Sequence, residues 1–149
     1  MNKVLVGITS FIVIIIVGFF GIPYLLGTRR AETKSTFTDE QIKIIADKLD
    51  IGYEELSVEK LEYTHYKSRG ENVIQFRVFG KLSGLDSVDK AYKLDKTISG
   101  NSEIRYYSHK NNANISCDIT IRNNTAPYEV YFRINEADQE LDAMMKQKK

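Results

Sequence analysis

The residue types best suited to acid–base or nucleophilic chemistry are few in this chain and widely separated. His65 and His109 are its only histidines, and Cys117 is its single cysteine. The sequence contains no His-x-x-x-His, Cys-x-x-Cys or Asp-x-Asp-x-Asn pattern, so it predicts neither a zinc nor a calcium site. Both histidines stand near the ends of predicted strands, which favours exposed side chains beside turns. A small hydrolase-like enzyme with His65 or His109 as its base is the alternative.

Other catalytic patterns are incomplete. Ser57-Val-Glu-Lys60 and Ser87-Val-Asp-Lys90 match the Ser-x-x-Lys pattern of acyl-transfer enzymes, but the companion Lys-Thr-Gly and Ser-Asp-Asn motifs are absent. Cys117 lies in the apolar row of an alternating segment, where a thiol behaves as a small hydrophobic group rather than as a nucleophile. The sequence therefore predicts a protein that is not an enzyme and that holds no metal ion or cofactor.

Recognition chemistry is better represented, because tyrosine and arginine side chains fall on the polar rows of predicted strands. These residue types are enriched among the side chains that dominate protein interfaces. We therefore predict that one face of a sheet binds a partner, although a second small core beneath a helix would explain the same pattern. The predicted binding residues are Tyr66, Tyr107, Tyr131, Arg77, Arg105 and Arg133.

The N-terminal part of the chain is apolar and uncharged from Val4 to Leu26. About 20 such residues suffice for a helix to cross the hydrocarbon core of a bilayer. The run is longer than the apolar part of a signal peptide, and Gly27-Thr-Arg-Arg-Ala31 places two arginines where a cleavage site needs small neutral residues. The sequence predicts an uncleaved, single-pass transmembrane anchor at 4–26 after a short tail at 1–3.

The charged residues after the anchor indicate on which side of the membrane the domain lies and which class of partner it can bind. All 20 acidic residues follow the anchor and the whole chain has a net charge of +1, so no concentrated basic surface is available for nucleic acid. Arg29, Arg30 and Lys34 favour a cytoplasmic domain by the positive-inside rule. The start Met-Asn-Lys before an apolar run, together with many Tyr, Asn, Ser and Thr residues, favours export. We predict an extracytoplasmic domain at the cell membrane.

Polarity divides the rest of the chain into a tether and one domain. Residues 27–36 are polar without periodicity, which is typical of a tether, and residues 37–149 form the predicted domain. Thr38-Asp-Glu-Gln41 is a capping box at the start of a helix over 39–51. Gly52 is the predicted left-handed residue that ends this helix.

Alternation of apolar and polar residues predicts about five strands in the domain. The rows expected to face the core are Leu61-Tyr63-His65, Ile74-Phe76-Val78, Ile104-Tyr106, Ile115-Cys117-Ile119-Ile121 and Tyr128-Val130-Phe132-Ile134. A short helix near 86–92 and a C-terminal helix from an Asn135 cap to Gln147 complete the prediction. Clean alternation indicates an antiparallel sheet with one buried face and flanking helices, which is an α+β fold.

These features together predict a membrane-anchored binding or regulatory domain. Its partners would be the lipid bilayer and an unidentified protein or envelope component that the tyrosine- and arginine-bearing sheet face recognises. The layout is similar to that of small anchored proteins of the bacterial envelope, although no motif identifies a family. A structural subunit of a membrane complex, with the anchor as its interaction surface, is a further alternative.

Overall fold

The structure of the protein is a computed structural model that describes residues 30–68, 70–123 and 125–147, without the side chain of Ser68. The predicted tail at 1–3 and the predicted anchor at 4–26 lie outside the described residues, as does the first part of the predicted tether. In the described part of the chain, no helix is long and apolar enough to cross a membrane.

Over the described residues the fold is α+β, as predicted, and consists of one antiparallel sheet with three helices. The elements in chain order are β1 (Arg30–Lys34), α1 (Asp39–Lys48), β2 (Leu56–Ser68), β3 (Glu71–Leu82), α2 (Asp86–Ala91), β4 (Tyr92–Ser99), β5 (Glu103–His109), β6 (Ile115–Ile121), β7 (Tyr128–Ile134) and α3 (Gln139–Lys146). The strands lie in the order β1-β2-β3-β7-β6-β5-β4. Two meanders, β1–β3 and β4–β7, therefore meet where β3 pairs with β7.

One face of the sheet, here called the inner face, carries the hydrophobic core. All three helices place buried side chains in this core, among them Ile45 from α1, Val88 from α2 and Leu141 from α3. The predicted inward rows of β2, β3, β6 and β7 are confirmed, with Phe76 and Phe132 fully buried at their centre. Each such side chain stabilises the fold by about 2 kcal/mol, so this core holds the helices on the sheet.

The first helix begins as predicted and ends earlier. The N–H of Gln41 donates to Thr38 Oγ1 at 3.3 Å and the N–H of Thr38 donates to Gln41 Oε1 at 3.2 Å, which confirms the capping box. The left-handed residue is Asp50, with φ of +50°, rather than Gly52. Asp tolerates this conformation better than most side chains do, and the N–H of Gly52 instead donates to Ser87 Oγ at 3.0 Å.

The sheet has seven strands, and the prediction of about five is wrong because the two edge strands β1 and β4 were not predicted. β1 lies within the predicted tether and pairs only with β2. β4 pairs only with β5, and its residues after Tyr92 are all exposed. An edge strand that extends beyond the core is held by backbone hydrogen bonds, so its sequence needs no alternation.

The predicted phase of β5 is also wrong. Tyr107 lies opposite Cys117 and Arg105 lies opposite Ile119, so these two side chains face inward. The predicted inward residues Ile104 and Tyr106 lie on the other face. Because the side-chain period of a strand is two, an error of one residue moves every side chain to the opposite face.

The C-terminal helix is confirmed with a different cap. The carboxylate of Asp138 accepts hydrogen bonds from the N–H groups of Glu140 and Leu141, both at 3.0 Å, so Asp138 rather than Asn135 is the N-cap. Asn135 accepts a hydrogen bond from Gln75 Nε2 at 2.6 Å instead. The side chains of Leu141, Met144 and Met145 are buried against the core, whereas Ala137, which precedes the helix, is exposed.

Candidate binding face

The opposite side of the sheet, here called the outer face, carries the side chains that alternate with the core rows. Within the described ranges no helix covers it, because the buried side chains of all three helices belong to the core on the inner face. Its centre is a set of charged and aromatic residues from four strands that we call the outer cluster. The outer cluster consists of Lys60 and Glu62 from β2, Arg77 and Phe79 from β3, Asp118 from β6, and Tyr131 and Arg133 from β7.

Two stacked rings form the apolar part of the outer cluster. Phe79 lies opposite Tyr131, and their ring centroids are 4.8 Å apart at an interplanar angle of 29°. Lys60 Nζ lies 4.1 Å from the Phe79 ring centroid and the guanidinium carbon of Arg133 lies 5.3 Å from that of Tyr131. Cations at these distances are attracted to the negative ring faces, which holds all four side chains in place.

The tyrosine of this stack keeps its proton at neutral pH. Burial raises the pKa of the Tyr131 phenol, and the positive charges of Arg77 and Arg133 oppose this rise only in part. A protonated phenol both donates and accepts a hydrogen bond. The stack therefore offers a flat apolar surface with one adaptable polar group.

The two central arginines are directly opposite each other on β3 and β7. Their mutual repulsion is offset by Asp118, whose carboxylate oxygens lie 2.7 and 2.9 Å from Arg133 Nη2, and by Glu62 at 4.0 Å from Arg77 Nη1. Arg77 Nε also donates to the side-chain oxygen of Gln75. These contacts fix both guanidinium groups, so a partner would meet donors that are already oriented.

Arg133 also carries a donor of the outer cluster that has no partner among the described residues. Its Nε is buried and has no hydrogen-bond partner among the described residues, although its side chain as a whole is 35% exposed. A buried donor without a partner costs about 1–3 kcal/mol. The pairing with Asp118 and the packing on Tyr131 compensate for this cost.

The structure brings together three of the six predicted binding residues, namely Arg77, Tyr131 and Arg133. Tyr66 also lies on the outer face, opposite Val73 and close to the β2–β3 turn. The prediction of a shared face is wrong for Arg105 and Tyr107. Both lie on the inner face, and Tyr107 is only 3% exposed, because β5 has the opposite phase.

Four members of the outer cluster were missed from the sequence, namely Lys60, Glu62, Phe79 and Asp118. Phe79 was visible as an aromatic side chain on the polar row of β3. The role of Asp118 depends on β7 lying between β3 and β6, and no local pattern in the sequence shows that order.

His109 is buried, and the prediction of an exposed side chain is wrong for it. Its Nδ1 accepts hydrogen bonds from the N–H groups of Asn111 at 3.2 Å and Asn112 at 3.0 Å. The ring hydrogen is therefore on Nε2, which donates to Asp50 Oδ2 at 2.9 Å. Neither nitrogen is free to accept a proton from a substrate, and this geometry argues against His109 as a general base.

His65 and Cys117 provide no partner for such chemistry. His65 is half-buried near the β2–β3 turn, four strand spacings or about 19 Å along the sheet from β5. Cys117 is fully buried as predicted, and burial raises the pKa of its thiol well above the ordinary value. In the part of the chain that the structure describes, no group of three or more His, Cys, Asp or Glu side chains is placed to hold a metal ion.

One cleft on the inner face is small, and the carboxylate of Asp138 at its rim already has partners. It encloses about 150 Å³ between Tyr63, Phe76 and the start of α3. Burial opposes ionisation of Asp138 at the rim, but hydrogen bonds from the α3 backbone and the Lys48 ammonium at 3.0 Å hold its pKa below the usual range. This carboxylate caps a helix, so the outer cluster is the stronger candidate site.

Comparisons of the chain with protein-family models, with curated proteins and with solved structures found no match.

Proposed function

We propose that the protein is a binding domain, held in the cell membrane by a single-pass helix at 4–26, that recognises a protein or envelope partner through the outer cluster. The observation that carries the proposal is the stacked Phe79–Tyr131 pair between two oriented arginines, on a sheet face without a helix in the described part of the chain. Aromatic and arginine side chains contribute most at the centres of protein interfaces.

The charges of the outer cluster indicate what kind of partner it suits. Its positive groups Lys60, Arg77 and Arg133 lie beside the negative groups Glu62 and Asp118, so the surface is nearly balanced. Such a surface favours a partner with apolar or planar groups for the rings and with carbonyl or carboxylate oxygens for the arginines, over a strongly charged polymer.

The position of the cluster in the fold also supports recognition. Its β3 and β7 residues stand on central strands that are paired on both sides. Little conformational entropy is lost when such side chains bind, because the scaffold has already ordered them. The anchor and the extracytoplasmic location belong to the same proposal and rest on the apolar run at 4–26 and on the features that favour export.

A photo-crosslinking amino acid at Tyr131 of the full chain, in cells that produce the protein, tests the proposal. We expect a covalent adduct of defined mass from Tyr131 and none from the same amino acid at Asn101, which is exposed in the β4–β5 turn. Equal adducts at the two positions, or none at Tyr131, would show that the outer cluster is not the binding surface.

A substitution inside the cluster supplies the second arm of this test. Arg77→Gln in the Tyr131 crosslinking chain should reduce the adduct about tenfold, because loss of one central arginine contact costs about 1–2 kcal/mol. Arg122→Gln is the matched control, since Arg122 is an exposed arginine near the β6–β7 turn that pairs with Glu129 outside the outer cluster. An adduct that both substitutions reduce equally would contradict a specific role for the cluster.

A further inference from the structure

The start of β1 places the domain very close to the predicted anchor. β1 begins at Arg30, and only residues 27–29 separate it from Leu26 at the end of the apolar run. A fully extended chain spans at most about 3.3–3.6 Å per residue, so the Cα of Arg30 lies within about 14 Å of that end. Because β1 is part of the sheet, the predicted tether allows the domain little freedom to move away from the bilayer.

The β2–β3 hairpin extends past the start of β1, at the end of the sheet where the chain from the predicted anchor joins it. Arg30 lies opposite His65, and β2 continues past His65 to Ser68 before β3 returns from Glu71. Three residues of strand extend about 10 Å, past the end of the sheet at which β1 begins. The β3–β7 pairing starts only at Phe76, so among the described strands the hairpin projects alone.

We infer that the tip of this β2–β3 hairpin lies against the headgroup region of the bilayer that holds the anchor, an inference that rests on the anchored function proposed above. The hairpin tip is defined here as Tyr66, Lys67, Glu71, Asn72 and Val73. Its overhang of about 10 Å beyond Arg30 is within the reach of about 14 Å that the chain from Leu26 allows.

The side chains of the hairpin tip suit such a contact. Tyr66 lies opposite Val73 on the same face, and the two form an apolar pair with one hydroxyl. Tyrosine is enriched at membrane interfaces, and the exposed Lys67 can reach lipid phosphates. Glu71 weakens the attraction to anionic lipid, so the contact orients the domain and adds little to the binding that the anchor supplies.

This arrangement also sets the distance between the outer cluster and the membrane surface. Glu62 precedes Tyr66 by four positions on β2, which places the nearest part of the cluster about 13 Å from the hairpin tip. The outer face then stands upright on the membrane surface. A partner would approach it from the side, free of the lipid headgroups.

Tryptophan fluorescence tests the inference directly, because the chain contains no tryptophan. The full chain with Tyr66→Trp is inserted into vesicles of phosphatidylcholine with a minor share of phosphatidylglycerol, with bromine on the acyl chains close to the headgroups. The matched control is Asn101→Trp in the β4–β5 turn. We expect a loss of fluorescence several times larger for Tyr66→Trp than for Asn101→Trp, and a smaller loss when Lys67→Glu is added.

Flotation of the same vesicles distinguishes a failure of the anchored function from a failure of the hairpin contact alone. A chain that does not float with the vesicles would overturn both the anchored function and this inference. A chain that floats, while Tyr66→Trp is quenched no more than Asn101→Trp, would overturn the hairpin contact alone. Val73→Trp, the cross-strand neighbour on the same face, repeats the measurement if Tyr66→Trp does not fold, and the same two results decide it.

Discussion

The imidazole of His109 connects the end of α1 to the β5–β6 loop. Its Nε2 donates to Asp50, the left-handed residue after α1, and its Nδ1 accepts the N–H groups of Asn111 and Asn112. The ring of Tyr92 packs edge-on against the imidazole, with 4.9 Å between the two ring centroids. The Tyr92 hydroxyl donates a hydrogen bond to the carbonyl of Leu49 at 2.8 Å. One ring thus joins the C-terminal end of α1 to the loop that follows β5.

Replacement of this ring separates a structural role from a catalytic one. His109→Ala removes a buried ring and leaves two partly buried backbone N–H groups without their acceptor, and we expect it to lower the free energy of unfolding by about 2–3 kcal/mol. His65→Ala is the matched control, with an expected loss of about 0.5 kcal/mol because His65 is only half-buried. Urea unfolding of the full chain in detergent, followed by circular dichroism, measures both values.

The cellular phenotype of the two histidine variants tests the hydrolase-like alternative. If His65→Ala or His109→Ala abolishes the cellular phenotype while the unfolding free energy stays at the wild-type value, the hydrolase-like alternative gains support. A loss of phenotype that follows the loss of stability instead agrees with a structural histidine.

At the scale of the secondary-structure elements, the bulge between β2 and β3 shapes the outer cluster. The register shifts between Val58 and Lys60, and it brings the backbone of Ser57 against Gly80. A Cβ at Gly80 would lie 2.1 Å from the carbonyl oxygen of Ser57. Only glycine permits this approach, and the neighbouring pair Lys60–Phe79 of the cluster depends on it.

Gly80→Ala should therefore destabilise the domain by about 2–3 kcal/mol, because the backbone at the bulge must shift to accept a methyl group. Gly84→Ala is the control, since a Cβ at Gly84 has no atom within 4 Å, and we expect a change of at most about 1 kcal/mol, in the stabilising direction. Thermal unfolding of the two variants side by side measures the difference. Similar midpoints for both would mean that the bulge relaxes easily.

The sequence predicted the elements whose signals are local. A capping box marks α1, and alternating rows mark β2, β3, β6 and β7. β1 and β4 were missed because edge strands are held by backbone pairing, and β5 was placed out of phase because aromatic side chains occupy both its rows at Tyr106 and Tyr107. Arg77, Tyr131 and Arg133 were predictable as polar-row residues, but their meeting depends on the β3–β7 pairing between two meanders, which is a non-local property.

At the scale of the whole molecule, the sheet has a membrane end and a distal end. β2 runs toward the hairpin tip, and β5 runs in the same direction because three antiparallel neighbours separate the two strands. The β4–β5 turn at the start of β5 therefore lies at the end opposite the hairpin tip. It also belongs to the opposite edge of the sheet, about 29 Å along the sheet from β1.

This geometry selects the position from which to determine the side of the membrane on which the domain lies. Asn101→Cys places an exposed thiol at the distal β4–β5 turn, away from the outer cluster and from the lipid. The unsubstituted chain is the blank, because Cys117 is fully buried and burial keeps its thiol protonated. We expect a membrane-impermeant maleimide to label Asn101→Cys in intact cells and to leave the blank unlabelled. Labelling that requires lysis would place the domain in the cytoplasm, where Arg29 and Arg30 hold it by the positive-inside rule, and partners of the outer cluster would then be cytoplasmic.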